Sequence, residues 1–291
     1  MKKIDNFEIM YSLNNIKKEI SIWESLLAKK EKKVSDLSIQ TQNLKITLNL
    51  FLSEYNSRIG VLYVELDKIK LRIKEYQNRI KLAKDKKLSP DDLNNIEKKV
   101  KESFFQERSK VENLESETSN SFEKYDKNLE KEKKRNLDRE FLEELKKLYR
   151  KLALRFHPDR AKNEKQRKEF ENIFPEINEA YQNCDLDTLK KYTKKAEREE
   201  QIARETSEEK LARLKKDYKV ILGIILKLNR ELEDLKVSET YKLKKKIEQA
   251  KEKGRDLIQE LSTTINLEIS ENQRILDKLV SQYKEIISGI I

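Results

Sequence analysis

From Leu13 the apolar residues return in alternating steps of three and four, at Ile16, Ile20, Trp23, Leu27, Val34, Leu37, Leu44, Leu48, Phe51 and Tyr55. Lys30 and Thr41 take the two missing turns. This is the spacing of a heptad seam. Tyr55 to Ile59 repeats a step of four beside Gly60, after which Leu62, Leu66, Ile69, Ile73, Tyr76, Ile80 and Ala83 resume the alternation. The repeated step predicts local unwinding there. Ser89-Pro90-Asp91-Asp92 supplies an N-cap, a proline at the first helical position and two acids where the helix dipole favours them, so a new helix starts after a kink or turn. It runs past Phe104, Val111 and Leu114 into the polar stretch ESETSN at 115–120, where flexibility is expected. After a second polar stretch, ETSEE at 205–209, a last arm keeps the three-four spacing from Leu211 through Leu214, Tyr218, Ile221, Ile225, Leu228, Leu232 and Leu235. It continues less regularly through Leu243, Ile247, Ala250, Gly254 and Ile258 to Ile286, with a stutter at 261, 265 and 269.

The centre of the chain differs. Residues 137–156, LDREFLEELKKLYRKLALRF, place Phe141, Leu145, Leu148, Leu152 and Phe156 on one face of a helix capped by Asp138. The other face carries Lys146, Lys147, Arg150, Lys151 and Arg155. Pro158 has no amide donor and drives His157 out of the helical region, so the helix ends near Phe156 and His157-Pro158-Asp159 stands at a rigid tip. A further helix after Ala161 aligns Phe170, Ile173, Phe174, Ile177, Ala180 and Tyr181, which makes the pair an antiparallel hairpin. Pro175 inside it predicts a kink or a restart at Phe174.

Composition narrows what such a chain can be. Its 291 residues are 41% charged and 36% hydrophobic, with Gly 4 and Pro 3, too few turn formers for sheets or phosphate loops. The fold class is all-α. No stretch suits a membrane span, and MKKIDNFEIM meets charge before a signal-peptide core forms, so a cytoplasmic location is expected. Cys184 and His157 are the single cysteine and histidine, too few for a zinc site, and no GxxxxGK[ST] segment is present. No metal or other cofactor is expected. His157 lacks a triad to work with, and Cys184 reads as a small buried residue, so the chain does not read as an enzyme. The net charge of +11 suits nucleic acid, but basic runs such as DKNLEKEKKRN at 126–136 are interleaved with acids, which makes that a secondary reading.

Together, KKLYRKLALRFHPDR at 146–160 and FPEINEAY at 174–181 resemble the second helix, signature loop and third helix of the J domain of the DnaJ co-chaperone family. The resemblance covers about a fifth of the chain, and its joint motif is far more specific than an isolated HPD. SRIGVLYVELDKI at 57–69 is similar to coiled coils flanking J domains in little-characterised bacterial proteins. The resemblance implies a co-chaperone whose partner is a DnaK-type chaperone ATPase. It implies contacts through His157, Pro158 and Asp159, and through a docking face of Lys146, Lys147, Tyr149, Arg150, Lys151 and Arg155. The family's first helix has no clear counterpart, Phe122, Tyr125 and Leu129 being the nearest substitutes. The tail QNCDLDTLKKY is similar to shortened J domains rather than to those with the usual fourth helix. The family's CxxCxGxG repeats and Gly/Phe linker are absent.

The expected organisation is a coiled coil over 1–88, a linker helix over 89–136, a reduced J domain over 137–192 and a second coiled coil over 193–291. Long antiparallel coiled-coil arms would carry the hairpin, pairing residues whose numbers sum to about 320: Leu44 with Leu276, Ile59 with Leu261, Ile73 with Ile247. A fold-back at Ser89-Pro90 into a shorter helical bundle and a parallel dimer through either arm are the other arrangements the sequence leaves open. The arms would hold a client or partner that the sequence does not name. The alternative is a coiled-coil scaffold with a vestigial J domain.

Overall fold

The computed structural model describes residues 2–84, 90–198 and 205–288, and among them there are helices and short connections but no strand. The protein is all-α. Helix α1 spans Lys2–Tyr55, a π-helical turn Asn56–Gly60, α2 Val61–Ala83, α3 Pro90–Ser103, α4 Phe105–Leu137 and α5 Arg139–Arg155. A 3-10 turn, Pro158–Arg160, precedes α6 Glu164–Gln182, α7 Leu186–Arg198, α8 Ser207–Val237, α9 Glu239–Glu252 and α10 Leu257–Ser288. The stutter after Tyr55 is thus realised as a wider turn that absorbs the surplus residue, as π-bulges do. Pro90 opens α3 with Asp91 and Asp92 in its first turn, while its expected cap Ser89 lies outside the described residues. Among the described residues no helix is long and apolar enough to cross a membrane.

Several expected breaks are absent and some unexpected ones appear. The 115–120 stretch is helical throughout, inside α4, with the Thr118 hydroxyl donating back to the Leu114 carbonyl. The second arm breaks twice. Ser238 ends α8 and accepts from the Tyr241 amide. Gly254 is no seam residue but the left-handed end of α9 (φ 75°), where the Arg255 amide returns to the Ala250 carbonyl at 2.9 Å and Asp256 then caps α10. The 205–209 stretch is a reciprocal capping box between Thr206 and Glu209.

The chain forms two compact units, residues 1–48 with 130–242, and residues 49–129 with 243–291. In the second, α2 packs with α3 and α4 running back along it, as the pairs Arg79–Glu97, Glu75–Arg108 and Lys68–Glu115 require. The Glu75 carboxylate is buried but satisfied, held by Arg108 at 2.6 Å. Along its other side α2 meets α10 in the same direction. Leu66 clusters with Ile258 and Ile265, Ile73 with Leu276, and the Tyr76 and Tyr283 rings lie 5.9 Å apart. The expected antiparallel pairing of the arms is therefore corrected to a parallel one. Leu276 packs on Ile69 and Ile73 rather than Leu44, and Ile247 joins the Ile59 cluster rather than Ile73; of the expected pairs, Ile59 and Leu261 do share a cluster. Because α3 and α4 already occupy the return pass, a third pass beside α2 runs with it.

In the first unit α1 and α8 are parallel too. Trp23 meets Tyr218 edge to face at 5.3 Å, and further along both helices Lys45 pairs with Glu231 at 2.5 Å. Ile20, Leu27 and Val34 bury against Leu214, Ile221, Ile224, Ile225 and Leu228, which confirms the three-four seams. A second face of α1 is also covered: Ser35, Ser38, Ile39 and Gln42 are buried, and Thr41 is buried on the seam beside them. The Thr41 hydroxyl is buried with no hydrogen-bond partner. Valine has nearly the same shape without the polar atom, so Thr41→Val is expected to stabilise the protein by about 1 kcal/mol, read as a higher denaturation midpoint.

Candidate functional site

Asp138 caps α5 by accepting the Phe141 amide at 2.9 Å, as expected. Leu145, Leu152 and Phe156 are fully buried, with Phe141 and Leu148 packed at the edge of the same core. Opposite them α6 supplies Phe170, Ile173, Ile177, Ala180 and Tyr181, and its helix runs through Pro175 without the expected restart. Cys184 turns the chain in the left-handed region (φ 58°), with the Asp185 amide donating to Ala180. Asp185 then accepts the Thr188 amide, and α7 follows. The tail after Tyr181 is therefore a full helix that buries Leu189, Tyr192 and Ala196 rather than a shortened end. Cys184 is half-buried at this turn.

The core closes with residues that lie far away in the chain. Ile39 is buried in it and Ile46 packs against it, both from α1, and neither Tyr125 nor Leu129 belongs to it. The Phe122 side chain lies outside the described residues. Hydrogen bonds from Tyr181 to Asn43 (3.0 Å) and from Gln182 to Gln42 (2.8 Å) tie α6 to the same stretch of α1.

Tyr149, expected on the docking face, is instead 1% exposed. It stacks on Tyr181 at 4.3 Å and donates to Asn178 at 2.8 Å, and its burial raises its pKa. It lies one residue from Leu148 on the inward side, where the buried stripe is wider than a single three-four row. Lys147 and Lys151 are exposed, while Lys146, Arg150 and Arg155 are half-buried. Lys151 pairs with Glu197 of α7 at 3.0 Å, Lys146 with Glu143 at 3.1 Å, and Arg150 with Asp36 of α1 at 3.7 Å. The Arg155 guanidinium lies 5.8 Å from the Phe156 ring centre.

The loop after Phe156 is held by its own backbone. His157 is extended (ψ 128°), as a residue before proline should be, and its Nδ1 accepts the Asp159 amide at 3.1 Å. The Arg160 amide returns to the His157 carbonyl at 2.9 Å, and Asn163 caps α6. The His157 ring meets Phe174 edge-on at 5.2 Å. Two side chains of the loop reach other helices of the unit. Asp159 Oδ2 lies 2.5 Å from Lys227 Nζ of α8, and Arg160 Nη1 lies 3.0 Å from Glu31 Oε1 of α1. Beside this contact a cleft of about 900 Å³ is lined by Lys151, Leu154, Arg155, Asp159 and Lys216 among others. Lys227, Glu31 and Asp36 were not singled out by the sequence: each is an ordinary flanking charge of a heptad helix, and no local pattern marks it as a partner of the loop or of α5 more than 60 residues away. Among the described residues no cluster of His, Cys, Asp or Glu is arranged to hold a metal ion.

Burial is the main cause that holds the His157 pKa below its usual 6.5. Lys227 and Arg160 push it the same way, against Asp159 and Glu231. The folded chain thus binds fewer protons here than the unfolded one. The stability this confers is complete above the unfolded value and is lost as pH falls through the folded one. As the sole histidine, His157 gives an isolated imidazole NMR signal. Its titration midpoint is expected below 6.5, lower still in Asp159→Asn and higher in Lys227→Met.

Residues 130–197, which hold α5, the loop, α6 and α7, match the family model of the DnaJ domain. No curated protein and no solved structure matches the chain. The chain thus carries a DnaJ domain over residues 130–197, within a structure whose other described residues form long helices.

Proposed function

We propose that the protein is a co-chaperone that docks on a DnaK-type chaperone and stimulates its ATP hydrolysis through the His157-Pro158-Asp159 loop. The observation that carries this reading is the placement of that tripeptide. It forms a backbone-stapled tip at the end of α5, on the helix that exposes Lys147 and Lys151, inside the segment matching the DnaJ domain. DnaJ domains in general work with chaperones of this type. The chain itself is not the ATPase: its contribution is to favour one conformation of the partner through contacts that differ between the partner's states. Exposed lysines steer it towards an acidic surface, and one loop carboxylate supplies a charge-assisted contact. The heptad helices serve as an adaptor for a client or second partner. The reading keeps the cytoplasmic location expected from the sequence.

Two measurements test it. His157→Gln and Asp159→Asn change groups in a half-buried loop outside the hydrophobic core, so helicity and melting should stay near wild type while stimulation of a purified DnaK-type ATPase falls to its basal rate. Full stimulation by the folded double variant would refute the reading. Lys147→Glu combined with Lys151→Glu should slow association about tenfold at low salt, and the gap to wild type should close as ionic strength rises. A rate indifferent to both changes would leave α5 as a solvated face only.

A further inference from the structure

The loop proposed to meet the chaperone, and the helix before it, are already engaged within the first unit. Asp159 gives one carboxylate oxygen to Lys227, Arg160 is held by Glu31, and Arg150 faces Asp36. Leu154, on the outward side of α5, packs into the apolar cluster shared by α1 and α8. The loop is consequently half-buried, and the Asp159 side chain keeps only a quarter of its exposure.

We propose that α1 and α8 form an intramolecular latch over the loop, so that the structure described is a closed state and the chaperone gains access only when Lys227 and Glu31 release it. The inference rests on the co-chaperone reading for its consequence but on the contacts alone for its existence. A cationic group of the partner seeking Asp159 meets Lys227 in the same position, and two cations do not share one carboxylate without mutual repulsion. Lys227 is itself two-thirds exposed, and exposed ion pairs are individually weak. The latch therefore holds by combining several weak contacts with the packing of Leu154. Such a latch lowers the apparent affinity by the fraction of molecules that are open, and a partner that binds only the open form shifts that fraction.

The test uses the full chain carrying Lys227→Met, Glu31→Gln, or both, neither residue belonging to the proposed chaperone contacts. Hydrogen exchange of the peptide covering 156–163 is expected to quicken by up to about fivefold for each pair removed. Stimulation of a purified DnaK-type ATPase by subsaturating protein should rise by the same factor, and Asp159→Asn on the Lys227→Met background should abolish it. Unchanged exchange in the double variant overturns the latch whatever the ATPase does. If wild type stimulates and the variants expose the loop without stimulating more, the latch is also overturned. A loss of stimulation in Lys227→Met alone makes Lys227 part of the docking face, again against the latch. Faster exchange with no stimulation by any variant keeps the latch and removes the co-chaperone reading.

Discussion

A hairpin of α5 and α6 with the short α7 across it leaves its aromatic core open on one side, and the burial of Ile39 of α1 against that side, with Ile46 packed beside it, is the contact on which the unit depends. Tyr149, Phe156, Phe170 and Tyr181 are all nearly inaccessible to water, and removing any one of these rings should cost about 3–5 kcal/mol. Burial of that kind needs cover on every side, and a segment this small has little surface to cover itself. Once α1 is the cover, the position of α5 relative to α1 is fixed, and α8, sharing the seam of α1, is brought to the loop at the end of α5. The neighbours of Asp159 thus follow from how the core is closed.

The polar residues of α1 explain why the docking is specific. Ser35, Ser38, Thr41 and Gln42 are buried there, and Asn43 and Gln42 each accept a hydrogen bond from the end of α6. An aliphatic face would bury more apolar area but would accept many registers. Paired polar groups penalise the wrong ones, because each misplaced partner leaves a desolvated donor or acceptor. Thr41, on the seam beside this face, is a buried hydroxyl for which the structure offers no partner.

What the sequence conveyed and what it withheld divide along physical lines. Seams, caps and the loop are encoded locally: the three-four spacing, Asp138 before an apolar stripe and proline after histidine each act within a few residues, and all appear where expected. The stutter at Tyr55 was legible for the same reason, since a surplus residue must be absorbed where it stands. Direction of pairing is not local. A heptad seam fits a parallel or an antiparallel partner equally, and only the opposite direction of α3 and α4, which fill the return pass beside α2, decides it. Gly254 fell on a seam position by number, yet Gly-Arg-Asp also spells a left-handed helix end followed by a cap, and that chemistry prevailed. The second buried face of α1 was hidden because, apart from Ile39, its residues are polar, and hydrophobic periodicity does not register serine or glutamine as core.

Charge explains how a loop can be covered and still be usable. At 41% charged residues, the helices carry many ion pairs between exposed side chains, each contributing about 1 kcal/mol or less. Three such contacts with the half-buried Leu154 amount to only a few kcal/mol, so an uncovered state is a minor population rather than an unfolding event. A fully apolar cover would have concealed the loop too strongly for a partner's binding energy to reverse, whereas the core beneath, sealed by aromatic rings, stays closed while the charged layer exchanges partners. The two layers therefore separate folding from access: aliphatic and aromatic contacts of α1 hold the domain together, and the ion pairs of Glu31 and Lys227 determine how much of its loop is presented.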